Sequence, residues 1–374
     1  MSDQDQGIVQ LLVDSVERPH AHKPVDWSAV DPDRLLLSAM LNSCAPALYL
    51  RVRDDPSAPD ALVRRLQLAY SDQVRRHMMT LGELGLVTSV LDRSGIDSLV
   101  LKGPVLSERV WPRSDMRQYG DLDLLIDGRR LGEALKVLIA AGATLVDRNW
   151  LLIRRQMRAE LSLRLPHGTR LDLHWNVVNE PDLRRAFRFP TATLLERSVP
   201  AGLEGIPART LDPVDTVLHL AYHLVHSGGH RLVWAKDFDL ALRRPGVDRE
   251  LLAARARLGG TELALAAAEV RSRALRADPT GVGIPSAWTW LVRAVDRLRP
   301  VPLLPDTRFS GQIAFLNTRD TTLASVVALA RDAFRSRPAR DYAEPNLLHE
   351  SHEDGPAREA YLAAVRESSE PGVV

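Results

Sequence analysis

Cysteine is almost absent: Cys44 is the only one in 374 residues. No intrachain disulfide can form, which favours a reducing, cytoplasmic setting. Lysine is nearly as scarce, with Lys23, Lys102, Lys136 and Lys236 the only ones among 49 basic residues. No apolar run approaches membrane-spanning length, and the polar start MSDQDQ lacks the basic and apolar regions of an export signal. Neither membrane insertion nor export is therefore expected. An excess of one charge sign is also missing, because 48 acidic residues leave a formal net charge of +1. That balance excludes a global basic surface for nucleic acid or anionic lipid, so any phosphate affinity must be local. What remains, 45% hydrophobic and 26% charged residues, is globular composition with enough material for a sizeable core.

Apolar residues recur at helical spacing through residues 28–95, and Gly95 reads as the stop. IDSLVLKG then reads as a short strand, PVLSERVW as a helix, DLDLLID as a second strand and GRRLGEALKVLIAAGA as an amphipathic helix. AELSLRLPHGTRLDLHWNV alternates on either side of Pro166-His167-Gly168-Thr169 and predicts an antiparallel hairpin. A Pro- and Gly-containing stretch at 198–213 reads as a separator before a mainly helical region, with Asp212-Pro213 suited to a helix start. PVPLLPD at 300–306 interrupts that region, a further helix is expected near 320–336, and a last one near 357–367 in a polar tail. The expected architecture is α+β: a small mixed-sheet core at 76–200, an N-terminal helical region at 1–75, a helical domain at 205–340 and a tail at 341–374.

Within the second strand, GDLDLLIDG places Asp121 and Asp123 on one face and Leu122 and Leu124 on the other. Two anions side by side repel each other and resist desolvation unless a cation or protons neutralise them. TRLDLHW repeats the construction, with Asp172 and His174 sharing a face against Leu171, Leu173 and Trp175. Three carboxylates on adjacent strands suit one or two hard divalent cations, usually Mg²⁺, with substrate phosphates completing the shell.

The order LKG, short helix, RQYGDLDLLID, helix and a hairpin ending RLDLHW resembles the DNA-polymerase-β-type nucleotidyltransferase superfamily. More narrowly it is similar to a bacterial family of nucleotidyltransferases with an LKG…DLDLLV…DLHW pattern. The resemblance implies a nucleotidyltransferase core. Asp121, Asp123 and Asp172 would hold two Mg²⁺ ions and carry catalysis, and a nucleoside triphosphate such as ATP would be the co-substrate. Gly103 would stand where backbone approaches the nucleotide phosphates. In place of the superfamily's Gly-Ser or Gly-Gly, this chain has Lys102-Gly103-Pro104, and Pro104 supplies neither hydroxyl nor backbone donor. Lys102 and Arg117 are therefore expected to grip the phosphates as cations, with Arg109 and Arg113 as further cations between them.

Asp-x-Asp also occurs in glycosyltransferases and in haloacid-dehalogenase phosphatases. The phosphatase motif wants Thr or Val where Leu125 stands, and the glycosyltransferase motif ends its strand, whereas apolar residues here continue to Ile126. The series His219, His223, His226 and His230 invites a zinc reading but lacks the accompanying glutamate. It reads instead as a polar lining facing the cleft or as satisfied core histidines. His174, His223, Arg231 and Asp237, with Trp234 close by, are the expected acceptor pocket, and a buried Arg–Asp contact explains Arg231 and Asp237 equally well. The expected reaction moves a nucleoside monophosphate to a hydroxyl of a small molecule, peptide or protein, with neither membrane nor nucleic acid as the favoured partner. The alternatives are a catalytically silent nucleotide-binding module and a toxin- or antitoxin-type enzyme acting on tRNA or a protein.

Overall fold

The computed structural model describes residues 3–17, 25–227, 231–273 and 354–369. The interruption at 300–306 and the helix expected at 320–336 lie outside the described residues. Four helices come first: α1 (Asp3–Glu17), α2 (Pro32–Leu41), α3 (Ala45–Val52) and α4 (Asp60–Arg93). Asp31 caps α2 by accepting from the amides of Asp33 and Arg34, and Pro32 fills the first position, where its missing N–H costs nothing. At the far end of α4, Gly95 takes a φ of +62°, which turns the chain out of the helix and into the sheet.

The sheet has seven strands in the order β3-β4-β5-β2-β1-β7-β6. The long central ones are β2 (Asp121–Ile126), β4 (Glu160–Arg164) and β5 (Arg170–His174), flanked by β1 (Ser98–Val100), β3 (Thr144–Leu145), β6 (Val199–Pro200) and β7 (Arg209–Thr210). β2 runs parallel to β5 and antiparallel to β1, while β4 and β5 form the expected hairpin. β6 and β7 come from the stretch that reads in sequence as a separator, and β7 adds to the sheet parallel to β1. Two-residue strands carry no periodicity, so only the pairing reveals them. Short helices α5 (Pro104–Arg109), α6 (Leu131–Ala140), α7 (Trp150–Gln156), α8 (Pro181–Ala186) and α9 (Thr191–Glu196) connect the strands. A helical layer follows: α10 (Pro213–His226), α11 (Leu232–Leu242), α12 (Arg249–Gly259) and α13 (Glu262–Arg273).

Strand alternation divides the apolar residues between two cores. Leu122, Leu124, Ile126, Leu161, Leu163, Leu171 and Leu173 pack with the second half of α4, α6 and a C-terminal helix, Asp354–Ser368. Leu99, Leu101 and Leu125 face the other way, into a core built from α2, α3 and the α10–α13 layer. The C-terminal helix lies in the segment that reads as a polar tail, yet Ala357, Tyr361 and Val365 recur at a spacing of four and are fully buried. The face that carries Leu125 also carries Asp121 and Asp123, so the carboxylates point between the sheet and the α10–α13 layer.

Helix α4 joins both cores, with Leu62 and Leu66 in one and Leu84, Val87 and Leu91 in the other. Between them runs a buried polar stripe of Gln73, His77, Thr80 and Glu83. Gln73 accepts from the Tyr119 amide, His77 bonds the Tyr119 hydroxyl and Glu108, and Glu83 accepts from the amides of His167 and Thr169. One helix thereby holds the loop entering β2 and the turn entering β5.

Candidate active site

The parallel pairing of β2 with β5 sets Asp123 beside Asp172, Asp121 beside Arg170 and Leu125 beside His174. Neighbouring strands lie roughly 4.8 Å apart, so Asp123 and Asp172 are adjacent on one face. Asp123 is only 3% exposed and Asp172 only 7%. An ionised carboxylate at that depth requires counter-charge or hydrogen bonds.

Counter-charge comes from three directions. Lys102, just past the end of β1, places Nζ 3.0 Å from Asp123 Oδ1. The same oxygen lies 3.3 Å from His174 Nε2, and His174 Nδ1 is 3.6 Å from Glu160 Oε2. Glu160 is held in turn by Arg158, whose Nη2 donates to Oε1 at 2.7 Å. On the neighbouring strand, Asp172 Oδ1 accepts from Ser162 Oγ at 2.6 Å and from Arg170 Nε at 3.1 Å. Asp123 Oδ2 is buried with no hydrogen-bond partner among the described residues.

These contacts divide the charge unevenly. Asp123 next to it, aided by burial, pushes Asp121 up to about 6. Burial would raise Asp123 as well, but Lys102 and His174 outweigh it and hold that group far below the ordinary carboxylate range. Burial and the Asp123 charge raise Asp172. Burial opposes the charging of His174, yet Asp123 and Glu160 raise its affinity for a proton. Of the two carboxylates on β2, Asp121 is therefore the one that holds a proton more readily.

An all-oxygen donor set with an orphaned buried carboxylate oxygen fits a hard divalent cation. Among the described residues, however, no three His, Cys, Asp or Glu side chains stand close enough to hold an ion unaided. Lys102 and Arg170 lie on the carboxylates instead, so phosphate oxygens of a substrate would have to complete any metal's shell.

Gly103 turns the chain from β1 into α5 with φ +56° and ψ −120°, a conformation that only glycine adopts readily. A Cβ there would lie 3.1 Å from the Asp121 carbonyl oxygen. Glycine therefore lets the turn after β1 pack closely against the backbone of Asp121, the first residue of β2. Arg117 and Asp237, expected in different parts of the site, meet each other: Arg117 Nε and Nη2 donate to the two Asp237 oxygens at 2.7 Å each, and Trp111 Nε1 donates to Oδ1 at 2.7 Å. This buried fork ties the loop before β2 to α11. It leaves Arg117 Nη1 buried with no hydrogen-bond partner among the described residues. Arg113 is occupied with Asp115, and Arg109 donates to the Pro200 carbonyl, so both expected auxiliary cations are used structurally.

The opposing wall comes from α10 and α11. His219 and His223, one turn apart, stack with ring centroids 6.3 Å apart. Burial and the Lys102 charge depress both, His219 to about 3, so both rings are neutral at physiological pH. Neither ring nitrogen of His219 has a hydrogen-bond partner among the described residues. His223 packs edge-on against Trp234 at 5.4 Å, and Arg231 stacks on that indole at 4.8 Å. His226 turns aside to Glu180, and His230 lies outside the described residues. Of the expected acceptor-side residues, His223 and Arg231 meet through Trp234, His174 lies against Asp123 and Glu160, and Asp237 is consumed by Arg117.

Glu160, Ser162, Arg170 and Arg158 are site residues that the motifs alone do not reveal. A signal for three of them exists in the hairpin. Pairing outward from the Pro166–Thr169 turn places Ser162 opposite Asp172, Glu160 opposite His174 and Arg164 opposite Arg170. Alternation then puts Glu160 and Ser162 on the carboxylate face.

The mixed sheet, its glycine turn and the paired carboxylates define a nucleotidyltransferase-type core. The chain belongs to a family described as uncharacterised nucleotidyltransferases, and the match runs over residues 28–274. No curated protein matches the chain. None of the described helices is long and apolar enough to cross a membrane.

Proposed function

We propose that the protein moves a nucleoside monophosphate from a nucleoside triphosphate to an acceptor hydroxyl, with Asp121, Asp123 and Asp172 holding Mg²⁺. The observation that carries this reading is the register pairing of Asp123 with Asp172, beside an Asp123 oxygen buried without a hydrogen-bond partner among the described residues. Bound there, divalent cations would lower the pKa of the attacking hydroxyl and offset the charge of the triphosphate. A new bond forms between the acceptor oxygen and the α-phosphorus, the bond to the bridging oxygen breaks, and pyrophosphate leaves with its electron pair. Asp172 accepts the hydroxyl proton. Lys102 addresses the phosphates, and Gly103 allows them close to the backbone. His219, His223 and Arg231 face the acceptor.

One observation favours a second reading, a nucleotide-binding module without transfer: Arg170 and Ser162 already occupy Asp172 Oδ1. Calorimetry with each of the four nucleoside triphosphates, in Mg²⁺ and in EDTA, followed by measurement of pyrophosphate release with candidate hydroxyl acceptors, tests both. Metal-dependent binding with pyrophosphate release is expected. Equal affinity in EDTA removes the metal site, and metal-dependent binding without release for any acceptor favours the module.

A further inference from the structure

Lys102 sits inside the carboxylate cluster rather than at its edge. Its Nζ lies 3.0 Å from Asp123 Oδ1, its side chain is 16% exposed, and Asp121, Asp123 and Glu160 all contribute to the field it feels. An ammonium at hydrogen-bond distance from a carboxylate oxygen occupies space that a second cation cannot share, and two positive charges that close repel strongly in a poorly hydrated site. Arg170 plays a similar part on Asp172, but its side chain is 51% exposed and free to swing into solvent. Lys102 has no such exit. It follows Val100 and Leu101 out of the buried strand β1 and precedes the tight Gly103 turn, so its base is anchored on both sides.

From this we infer that Lys102 determines which form of cation the site admits: it excludes the free divalent ion and admits the ion only together with a triphosphate. A triphosphate offers Nζ a new set of anionic oxygens beside Gly103, so the ammonium can leave Asp123 without losing its partner. A bare divalent ion offers nothing in exchange. Entry of the free ion would strand a buried ammonium against a like charge, whereas entry of the metal–triphosphate complex adds the negative charge that keeps the ammonium paired. The inference rests on the carboxylate site proposed above, and its consequence is a coupling between metal and nucleotide that Lys102 creates.

The test uses the full chain and Mn²⁺ as the probe, followed by electron paramagnetic resonance of the free ion and by the thermal midpoint. The parental protein should bind Mn²⁺ weakly without nucleotide and much more tightly with ATP. Lys102→Met should bind Mn²⁺ without ATP roughly tenfold or more tightly than the parent, because the competing charge is gone. The same variant should show a larger rise in thermal midpoint with Mn²⁺ and a smaller gain in Mn²⁺ affinity from ATP. Lys102→Gln guards against a packing defect peculiar to Met and should behave alike, and Lys102→Met with Asp123→Asn should lose the gain, placing it at this site. If Lys102→Met and Lys102→Gln bind free Mn²⁺ no better than a parent that does bind Mn²⁺ with ATP, the gatekeeping role is wrong while the metal site stands. If no form binds Mn²⁺ alone or with any of the four nucleoside triphosphates, the metal site falls and the inference falls with it.

Discussion

At the scale of single residues, Asp172 separates an enzyme from a binding module. On the proposed mechanism, Asp121 and Asp123 would suffice to hold a metal–triphosphate complex, while Asp172 would act on a proton that moves only as the acceptor attacks. Asp172→Asn is expected to leave triphosphate affinity within about threefold of the parent and to lower transfer about a hundredfold or more. Calorimetry and pyrophosphate release measure the two quantities separately. Parental transfer by the variant would remove Asp172 from the reaction. His219 offers a different measurement, in pH. Its folded-state affinity for protons is depressed to about 3, so between its ordinary value of 6.5 and about 3 the unfolded chain binds a proton that the folded chain refuses. Stability from this group is therefore full above 6.5 and is lost as the pH falls, with a limiting slope of about 1.4 kcal/mol per pH unit. Denaturant unfolding of the parent and His219→Leu from pH 7 to 4 should show a shallower acid limb in the variant. Identical limbs would mean that His219 is solvated rather than buried neutral.

At the scale of elements, α4 does more than cover the sheet. Its stripe of Gln73, His77 and Glu83 reaches the two segments that deliver the carboxylate strands, so the spacing of Asp123 and Asp172 depends on a helix remote from both in sequence. Glu83 is 1% exposed and satisfies two backbone amides of the hairpin turn. Glu83→Ala leaves both amides without a partner and is expected to cost about 2–6 kcal/mol of stability, given about 1–3 kcal/mol for each buried orphan donor. Urea unfolding measures the loss. A change below about 0.5 kcal/mol would show that water or a relaxed turn replaces the carboxylate.

At the scale of the whole molecule, the C-terminal helix closes the core that backs the active-site strands. The Tyr361 hydroxyl donates to the Arg158 carbonyl at 2.6 Å and accepts from Trp175 Nε1 at 2.9 Å. Both contacts fall next to residues of the site, because Arg158 grips Glu160 and Trp175 follows His174. Tyr361 is completely buried, so Tyr361→Ala should cost about 3–5 kcal/mol through the cavity it leaves. It should also loosen Arg158. A stability loss under about 1 kcal/mol in thermal or urea unfolding would show that the helix is only lightly docked.

Much of the site follows from local rules that need no tertiary structure. Alternation alone places Asp121 with Asp123 and Asp172 with His174, since successive side chains of any strand leave opposite faces. The same rule separates the leucines into the buried face, and the Pro166–Thr169 turn forces β4 and β5 to pair. Residue type and order around Lys102-Gly103 likewise announce a strand that ends in a tight turn. What sequence could not settle is which strands become neighbours and which charges find each other. The adjacency of β2 and β5 joins segments almost fifty residues apart, and the insertion of β7 beside β1 depends on two-residue pairings without periodic signal. Arg117 shows the limit most clearly. Its position four residues before Asp121 suggests a phosphate ligand, but Asp237, 120 residues away, takes two of its nitrogens. Long side chains choose partners by distance in space, and a guanidinium buried beside a carboxylate stays with it because separating them would leave two desolvated charges. Alternation is a property of the backbone and so belongs to the sequence, whereas charge pairing is a property of the packed interior and is decided only when the chain has folded.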